Sequence, residues 1–296
     1  MAKILITGAN GFIGNHLVRV LKERHEIFGL VRKLSNESEL IDVNWIEQDL
    51  TEPLEYSRLP KYVDAIIHLA QSKQYRNFPD GAKDVFDINV YSTFELLEYA
   101  RKTGIQYFLF ASSGGIYGYS YEKFVETDPV SPLNFYLSSK HTAELLIANY
   151  RQFFCTVVFR FFFVYGPGQK GMLIPTLLNK VINGETIIIE GDPGLRINPI
   201  YIEDVIRVFE PALQLQNSEL FNVAGDENVT ITDLVRLIEQ VSGKKATVGD
   251  ANKDSQGDLI GDNTRMKEIL RVYPKISLFE GLKKMIKESH YLHGTK

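Results

Sequence analysis

The stretch that decides the fold reads Ile4-Leu5-Ile6-Thr7-Gly8-Ala9-Asn10-Gly11-Phe12-Ile13-Gly14. A short apolar run leads into three evenly spaced glycines, and apolar residues at helical spacing follow them. This order predicts a buried strand, a tight turn and an amphipathic helix. A strand that enters a helix through such a turn is the opening unit of a doubly wound parallel sheet.

Each glycine of this stretch has a separate predicted task. Gly8 permits the tight turn, Gly11 lets the backbone approach a pyrophosphate, and Gly14 lets the helix pack closely on the sheet. The free N–H groups and the positive end of the helix dipole then face the phosphates. The stretch therefore predicts a dinucleotide site, with Phe12 and Ile13 beside the cofactor at the start of the helix.

Apolar runs alternate with helical patterns through the first half of the chain. Near-continuous apolar strands separated by helices indicate a parallel sheet covered on both faces. We therefore expect an α/β protein with a Rossmann-type doubly wound parallel sheet. Strands are predicted at residues 4–7, 27–31, 44–47, 65–69, 107–111 and 156–161, and helices at residues 14–23, 84–101 and 136–150.

The pattern changes after Tyr165-Gly166-Pro167-Gly168, where shorter and mixed segments begin. We interpret residues 1–168 as the sheet domain and residues 169–296 as a smaller C-terminal α+β substrate lobe, with residues 198–224 returning to the first domain. Ligands of open α/β sheets bind beyond the carboxyl ends of the strands. The smaller lobe is therefore expected to form the second wall of a cleft there.

Composition argues against several classes of protein. The net charge of the 296 residues is −4 and the charges are interspersed, so no general affinity for nucleic acid or anionic lipid is expected. Cys155 is the single cysteine, which leaves no intramolecular disulfide and no cysteine-based metal cluster. No metal site is predicted. The most apolar stretch, residues 153–165, is too short to span a bilayer, and we expect a cytoplasmic protein.

The end of the second predicted strand bears on the choice of dinucleotide. An acidic residue at that place binds the adenosine ribose, but the chain has Val31-Arg32-Lys33. An arginine there accommodates a 2′-phosphate. Arg32 therefore favours NADP over NAD, unless it is only a solvated cation. Asp49 and Leu50 follow the third strand, where Asp49 either meets the adenine edge or lies in a surface turn.

Tyr136 and Lys140 lie four residues apart and share one face of a predicted helix. A free tyrosine has a pKa of about 10, and a nearby ammonium group lowers that value by stabilising the phenolate. Tyr136 can then exchange a proton with a substrate hydroxyl while hydride moves between the same carbon and nicotinamide. Lys140 can also hold the nicotinamide ribose. Ser113, after the strand at 107–111, is expected to donate a hydrogen bond to the substrate oxygen.

Taken together, these motifs resemble the extended short-chain dehydrogenase/reductase family, which contains NAD(P)-dependent sugar-nucleotide epimerases, dehydratases and reductases. The resemblance runs nearly from end to end. The matching positions are residues 7–14, Asp49-Leu50, His68-Leu69-Ala70, Asn89-Val90, residues 111–113 and 116–118, Tyr136 with Lys140, Arg160, residues 164–169, and residues 201–205.

The resemblance implies a role for individual residues. Ser113, Tyr136 and Lys140 take the places of the catalytic hydroxyl, the acid/base and the cofactor lysine. Leu69 and Ala70 would line the dinucleotide. Asn89 would support the site from its helix, and His68 takes a largely structural place. The helices at residues 84–101 and 136–150 resemble a pair that forms a dimer interface in relatives, so a homodimer is expected.

Two departures from the family pattern limit the reaction and the substrate. Gly114 and Gly115 replace an Asp-Glu pair that dehydratases need for water elimination, so 4,6-dehydratase chemistry is not expected. Phe163 stands where an asparagine often contacts the substrate. Phe163 is therefore predicted to lie at a substrate-binding position, with an aromatic ring in place of the asparagine amide.

A third departure concerns the two arginines that bind a substrate diphosphate in many relatives. Ile197 stands at the first position, with Arg196 displaced by one residue, and Ser255-Gln256 precede Gly257-Asp258 at the second. A diphosphate without bidentate partners binds more weakly. Either Arg196 turns towards the substrate, or the substrate is not a nucleoside diphosphate sugar, or other cations serve. Those other cations are Lys73, Arg76 and Lys170.

Three functions are compatible with these residues. The leading interpretation is a sugar-nucleotide epimerase, of the 4-epimerase type, which transfers hydride to NAD(P) and takes it back on the opposite face of the sugar. The second is an NADPH-dependent reductase of a keto-sugar or another small carbonyl compound, which Arg32 favours. The third is a non-catalytic NAD(P)-binding regulator, against which the intact set of Ser113, Tyr136 and Lys140 argues.

Overall fold

The structure is a computed structural model that describes residues 1–34, 42–251 and 257–293. Its contacts divide the chain into two units. Unit 1 consists of Met1–Ile116, Val130–Arg160 and Ile206–Phe221, and unit 2 of Tyr117–Pro129, Phe161–Val205 and Asn222–Lys296. Ser255 and Gln256, at the second expected arginine motif, lie outside the described residues.

The secondary structure follows in chain order. The strands are β1 (Lys3–Thr7), β2 (Glu26–Val31), β3 (Val43–Glu47), β4 (Ala65–His68), β5 (Tyr107–Ser113), β6 (Cys155–Phe161), β7 (Val164–Tyr165), β8 (Thr186–Ile189), β9 (Arg196–Ile197), β10 (Ile200–Tyr201), β11 (Glu219–Val223), β12 (Val229–Thr230) and β13 (Thr247–Asp250). The helices are α1 (Phe12–Leu21), α2 (Ala82–Phe86), α3 (Ser92–Thr103), α4 (Phe135–Asn149), α5 (Leu173–Asn183), α6 (Ile202–Ile206), α7 (Phe209–Ala212), α8 (Ile231–Ser242), α9 (Thr264–Leu270) and α10 (Leu278–His293).

A seven-stranded sheet has the strand order β11-β6-β5-β4-β1-β2-β3. Pairing is parallel from β5 through β4, β1 and β2 to β3. The chain moves outwards from β1 to β3 on one side and from β4 to β6 on the other, so the strand order reverses between β1 and β4. The predicted doubly wound parallel sheet is confirmed, and this reversal is where ligands of such sheets bind.

Burial explains why the strands read as continuous apolar runs. Ile4, Leu5 and Ile6 of β1 are fully buried. Because successive strand residues point to opposite faces, burial of all three requires cover on both faces of the sheet. On one face, α3 and α4 supply that cover through Leu96 and Ala143, which belong to the same core cluster as Leu5.

The predicted helix at residues 84–101 is interrupted rather than regular. Between α2 and α3, residues Asp87–Tyr91 form a π-helical turn. Such turns are rare and are often found at functional sites. Asn89 lies in this turn and is fully buried.

Unit 2 has the mixed α+β character that the sequence predicts for the later part of the chain. Its small sheets pair β10 with β7, β12 with β9, and β13 with β8. Helix α8 begins with a capping box, in which the Thr230 hydroxyl accepts from the Asp233 N–H at 3.0 Å. No helix in the described part of the chain combines the length and the apolar character that a membrane crossing requires.

Candidate active site

The glycine turn after β1 is shaped so that only glycine fits at two positions. Gly8 has a φ of +65°, and a Cβ there would lie 2.9 Å from the Ala70 nitrogen. A Cβ on Gly14 would lie 2.9 Å from the Ala9 Cα and would overlap the Gly8 carbonyl oxygen. The turn is thus packed against the end of β4 at the reversal of the strand order, as the predicted dinucleotide site requires.

The start of α1 offers free backbone donors. Gly11 is the N-cap residue, no side chain caps the helix, and the first turn carries no acidic residue. The Asn15 N–H makes the hydrogen bond to the Gly11 carbonyl at 2.9 Å, so the N–H groups of Phe12, Ile13 and Gly14 precede the helical ladder. A helix end of this kind binds phosphate groups.

Arg32 and Asp49 lie together at the carboxyl ends of β2 and β3. The Arg32 Nε is 3.8 Å from the Asp49 Oδ1, and both side chains are partly exposed. Asp49 also accepts hydrogen bonds from the Thr51 N–H at 3.0 Å and the Thr51 hydroxyl at 2.9 Å. Leu50, the next residue, is buried. Asp49 is therefore a carboxylate held in place beside Arg32. The sequence alone left the position of Asp49 open.

A hydrogen-bonded chain through His68 joins β1, β4 and α3. The His68 Nδ1 lies 2.6 Å from the Thr7 hydroxyl and the Nε2 lies 3.0 Å from the Thr93 hydroxyl. The Thr93 hydroxyl donates to the Asn89 carbonyl at 2.8 Å, and the Thr7 hydroxyl accepts from the Ala70 N–H at 3.2 Å. These directions are all satisfied when His68 carries its proton on Nε2 and accepts at Nδ1.

His68 is accordingly a neutral structural residue. Its ring is fully buried, and burial, helped by the Lys140 charge, lowers its pKa from 6.5 to about 3. The network fixes the backbone at Leu69 and Ala70, the predicted cofactor-lining residues that follow β4.

Ser113 is the last residue of β5 and stands at the carboxyl edge of the sheet. Its hydroxyl accepts a hydrogen bond from the Gly115 N–H at 3.2 Å. A side chain on Gly115 would begin 3.4 Å from the Ser113 Oγ and 2.9 Å from the Leu137 Cδ2. Gly115 therefore lets the end of β5 approach the first turn of α4, where Tyr136 precedes Leu137.

Lys140 is buried at the same edge, with only 1% of its surface exposed. Its Nζ donates to the Ala111 carbonyl on β5 at 2.8 Å and lies 4.9 Å from the centre of the Phe110 ring. Burial lowers the pKa of Lys140 from 10.5 to about 7, although the Glu144 carboxylate opposes the shift. Lys140 is thus tied to the strand that ends in Ser113.

Tyr136 does not show the lowered pKa that the sequence predicts. Burial, with a smaller effect from Tyr75, raises the pKa of Tyr136 above its ordinary value of 10.0. The physical reason is that desolvation of a phenolate dominates, while the Lys140 ammonium is engaged by the Ala111 carbonyl. The Tyr136 hydroxyl instead donates to the Gln71 Oε1 at 3.0 Å.

Asn89 holds the residues around Tyr136 in place. Its side-chain oxygen accepts from the Ser72 N–H at 3.0 Å, and its Nδ2 donates to the Ser139 hydroxyl at 2.9 Å. Ser139 in turn donates to the Tyr136 carbonyl at 2.7 Å. The π-helical turn therefore connects the loop after β4 to the start of α4. These hydrogen bonds are the contacts through which Asn89 can play the supporting role that the resemblance implies.

Several residues of this site were missed by sequence reasoning. Gln71 belongs to no motif, Ser139 lies inside the matched Tyr136–Lys140 stretch but had no role assigned to it, and Thr93 carries no signal apart from its spacing of four residues from Asn89. Gln71 directly follows the matched His68-Leu69-Ala70 run, and this position was the one available hint.

The predicted substrate-contact residues Phe163 and Arg196 lie in unit 2. Phe163 has a φ of +44°, in the left-handed region that a bulky side chain rarely adopts. Arg196 is half-exposed, and its Nη1 lies 3.8 Å from the Asp258 Oδ2. Ile197 is fully buried, since neighbouring strand residues point to opposite faces.

Comparisons with known proteins agree with the site geometry described above. Residues 4–224 match the NAD dependent epimerase/dehydratase family. The chain is 32% identical over 302 residues to an uncharacterized UDP-glucose epimerase, YtcB, of Bacillus subtilis, with 95% of each chain covered. It is 30% identical over 312 residues to the dTDP-4-dehydro-6-deoxyglucose reductase of Escherichia coli, with 96% of each covered.

A solved structure gives the same result. The UDP-glucuronic acid 4-epimerase of Bacillus cereus, in complex with UDP-glucuronic acid and NAD, superimposes with a TM-score of 0.89 at 26% identity. The alignment covers 98% of this chain and 99% of that one. With the family match over residues 4–224, this likeness confirms the resemblance drawn from the motifs. The chain belongs to the NAD-dependent epimerase/dehydratase family.

Proposed function

We propose that this protein is an NAD(P)-dependent nucleotide-sugar 4-epimerase that works by transient hydride transfer. The observation that carries the proposal is the anchoring of Lys140 to Ala111, 2.8 Å apart. This contact supports the proposal, because it ties α4, which carries Tyr136 and Lys140, to β5, the strand that ends in Ser113.

The residues around the glycine turn fit a dinucleotide. A Cβ at position 8 or 14 would collide with the protein's own backbone, so these glycines let the turn and the helix start pack closely at the end of β1. The start of α1 presents backbone donors without a capping side chain. When bound there, NAD(P) supplies a hydride acceptor that can later return the hydride. Lys140 is proposed to hold the nicotinamide ribose hydroxyls.

Side chains of the protein are proposed to transfer the proton and to bind the reacting oxygen. Tyr136 removes the proton of the sugar hydroxyl as the carbon is oxidised and gives it back after the keto intermediate has turned. Ser113 donates a hydrogen bond to the same oxygen. Lys140 supplies a positive charge when it is protonated. Because its pKa is about 7, the protonated fraction increases as the pH falls.

We propose NAD rather than NADP as the cofactor. A 2′-phosphate near Arg32 would also meet the Asp49 carboxylate, which lies 3.8 Å from the guanidinium, and the two like charges would repel. Arg32, which favours NADP when the sequence is considered alone, then serves as the ion-pair partner of Asp49. The B. cereus epimerase structure contains NAD.

The proposed substrate is a sugar nucleotide, and residues 169–296 are proposed as the substrate-binding lobe. The B. cereus neighbour contains UDP-glucuronic acid, and the half-exposed Arg196 offers a guanidinium within unit 2. Glycines at positions 114 and 115 still argue against a 4,6-dehydratase, because no carboxyl group stands there to assist water elimination.

A reductase is the second candidate. The E. coli relative named as a dTDP-4-dehydro-6-deoxyglucose reductase supports it at 30% identity. A reductase exchanges its cofactor in every turnover, whereas an epimerase retains it. Mass spectrometry of the nucleotide released on denaturation separates them: retained NAD near one equivalent favours the epimerase, and an empty protein that prefers NADPH favours the reductase.

We propose a homodimer built through α3 and α4. Large apolar side chains on and beside these helices are exposed, with Phe86 at 50%, Phe94 at 43% and Leu145 at 55%. Large exposed apolar patches mark interfaces. Sedimentation equilibrium of the wild type and of a Phe94→Glu, Leu145→Glu variant tests this, and a monomeric wild type would contradict it.

The catalytic assignment is tested with Tyr136→Phe. This change removes the transferable proton and leaves the ring, so turnover of UDP-sugars should be abolished while the amount of bound nucleotide stays near the wild-type value. Retained turnover would contradict the role of Tyr136.

A further inference from the structure

Gln71 is the side chain that hydrogen-bonds the Tyr136 oxygen within the described part of the chain. The Tyr136 hydroxyl donates to the Gln71 Oε1 at 3.0 Å. Gln71 follows β4 and is an exposed residue. The contact therefore joins the proposed acid/base to the loop after β4, which the motif-based assignment of the site did not include.

The surroundings of Tyr136 leave its ionised form poorly supported. Burial raises the pKa of Tyr136, and Tyr75, whose ring centre is 5.4 Å away, adds to the shift. Lys140, one helical turn away, donates to the Ala111 carbonyl. Arg76 lies over the ring of Tyr75, with its guanidinium carbon 5.0 Å from the ring centre. A phenolate at Tyr136 thus needs a hydrogen-bond donor close to its oxygen.

We propose that Gln71 is a catalytic residue that binds the Tyr136 oxygen in both of its protonation states. The amide offers an acceptor and a donor at its two ends. Oε1 accepts from the phenol, and a half-turn of the amide brings the Nε2–H group to the phenolate. The inference rests on the proposed role of Tyr136 as the acid/base.

The backbone around Gln71 is fixed while its side chain can turn. On one side, the Ala70 N–H donates to the Thr7 hydroxyl at 3.2 Å, and on the other, the Ser72 N–H donates to the Asn89 side chain at 3.0 Å. Gln71 as a whole is an exposed residue. Rotation of the amide therefore exchanges the acceptor for the donor without moving the chain.

The two hydrogen bonds differ in strength, and this gives the direction of the effect. A hydrogen bond to a charged oxygen is roughly twice as strong as one between neutral groups. Gln71 therefore stabilises the phenolate more than the phenol and opposes the upward shift caused by burial. Leucine at this position offers neither bond. Glutamate can accept from the phenol but adds a negative charge beside the phenolate.

The experiment measures the ionisation of residue 136 directly. Tyr136→3,5-difluorotyrosine places a more acidic phenol with two ortho fluorines at the site, and 19F NMR follows its titration in the full chain. The background is wild type, Gln71→Leu or Gln71→Glu. We expect the pKa to rise by about one unit in Gln71→Leu and further in Gln71→Glu. Gln74→Leu, the same chemical change in the same loop, is the control and should leave the pKa unchanged.

The outcomes separate this inference from the proposed function. A pKa in Gln71→Leu that is equal to or below that of the wild type would overturn the inference, whether or not the protein epimerises a sugar. The expected order in a protein without epimerase activity would support Gln71 and remove the 4-epimerase assignment. With activity present, the acid limb of the kcat/KM profile should move to higher pH in Gln71→Leu by a similar amount.

Discussion

Gly14 stands directly beside the Gly8 carbonyl group, so that a side chain on Gly14 would begin 2.9 Å from the Ala9 Cα and still closer to the Gly8 oxygen. This contact brings the first turn of α1 onto the end of β1. It explains how the glycine spacing creates the proposed phosphate site: the helix start reaches the sheet edge only because residue 14 has no side chain.

Gly14→Ala should therefore impair both folding and cofactor binding. Overpacking of a tight contact costs about 1–3 kcal/mol, and displacement of α1 should reduce NAD affinity at least roughly tenfold. Chemical denaturation and fluorescence titration measure the two effects. Gly104→Ala is the control. A Cβ at residue 104 meets nothing within 4 Å, so this variant should lose stability only through the backbone strain of its φ of +68°. Equal NAD affinity in both variants would contradict the account.

The buried His68 should make the protein sensitive to acid. Its pKa is lowered to about 3 in the folded state, from 6.5. Between these values the unfolded chain binds a proton that the folded chain does not, so the free energy of unfolding should fall as the pH drops from about 6.5 to about 3. The contribution of this one group reaches about 1.4 kcal/mol per pH unit.

Denaturation curves between pH 7 and pH 4 test this contribution against His68→Gln. The variant should be less stable at pH 7, because it loses the bonds to Thr7 and Thr93, but its stability should fall less steeply in acid. Subtracting the two curves removes the carboxylates, which titrate in both proteins. Parallel curves would show that His68 does not titrate as described.

The left-handed backbone at Phe163 predicts a ranking of substitutions. Asparagine and glycine tolerate this region, whereas residues with an ordinary Cβ pay about 1 kcal/mol. Phe163→Asn and Phe163→Gly should therefore be more stable than Phe163→Ala by about 0.5–1 kcal/mol. All three variants lose the same aromatic ring, so the comparison isolates the backbone. An alanine variant as stable as the other two would contradict a φ of +44° at this residue.

The Arg32–Asp49 pair predicts a change in cofactor preference. Asp49→Asn removes the charge that would repel a 2′-phosphate, so NADP affinity should rise roughly tenfold relative to NAD. Arg32→Asp should weaken NADP far more than NAD. Fluorescence titration with both nucleotides measures the ratio. If each variant changes both affinities equally, neither residue senses the 2′-phosphate.

Sequence patterns were sufficient for the fold because its determinants are local. The apolar run, the glycine spacing and the following helical pattern are all contained in residues 4–21, and the alternation with helices repeats them. The strand ends Thr7, His68 and Ser113 then meet at one edge as a consequence of parallel pairing.

The electrostatics of the candidate site depended on contacts that no spacing reveals. A tyrosine–lysine pair at helical spacing predicts a lowered tyrosine pKa, yet burial raises it and the Ala111 carbonyl engages the lysine. The Gln71–Tyr136 bond spans 65 residues, and the His68–Thr93 bond spans 25. Such long-range pairs follow from the three-dimensional packing and leave no periodic signal in the chain.

The most direct test of the central claim is a single isotope experiment. The purified protein is incubated with UDP-sugars that carry deuterium at C4, without added nucleotide, and the products are analysed by NMR. Transient hydride transfer predicts a C4 epimer that keeps its deuterium, with no net change in the oxidation state of the bound cofactor. An epimer that has lost the deuterium to solvent, or no epimer from any UDP-sugar while NAD remains bound, would contradict the 4-epimerase assignment.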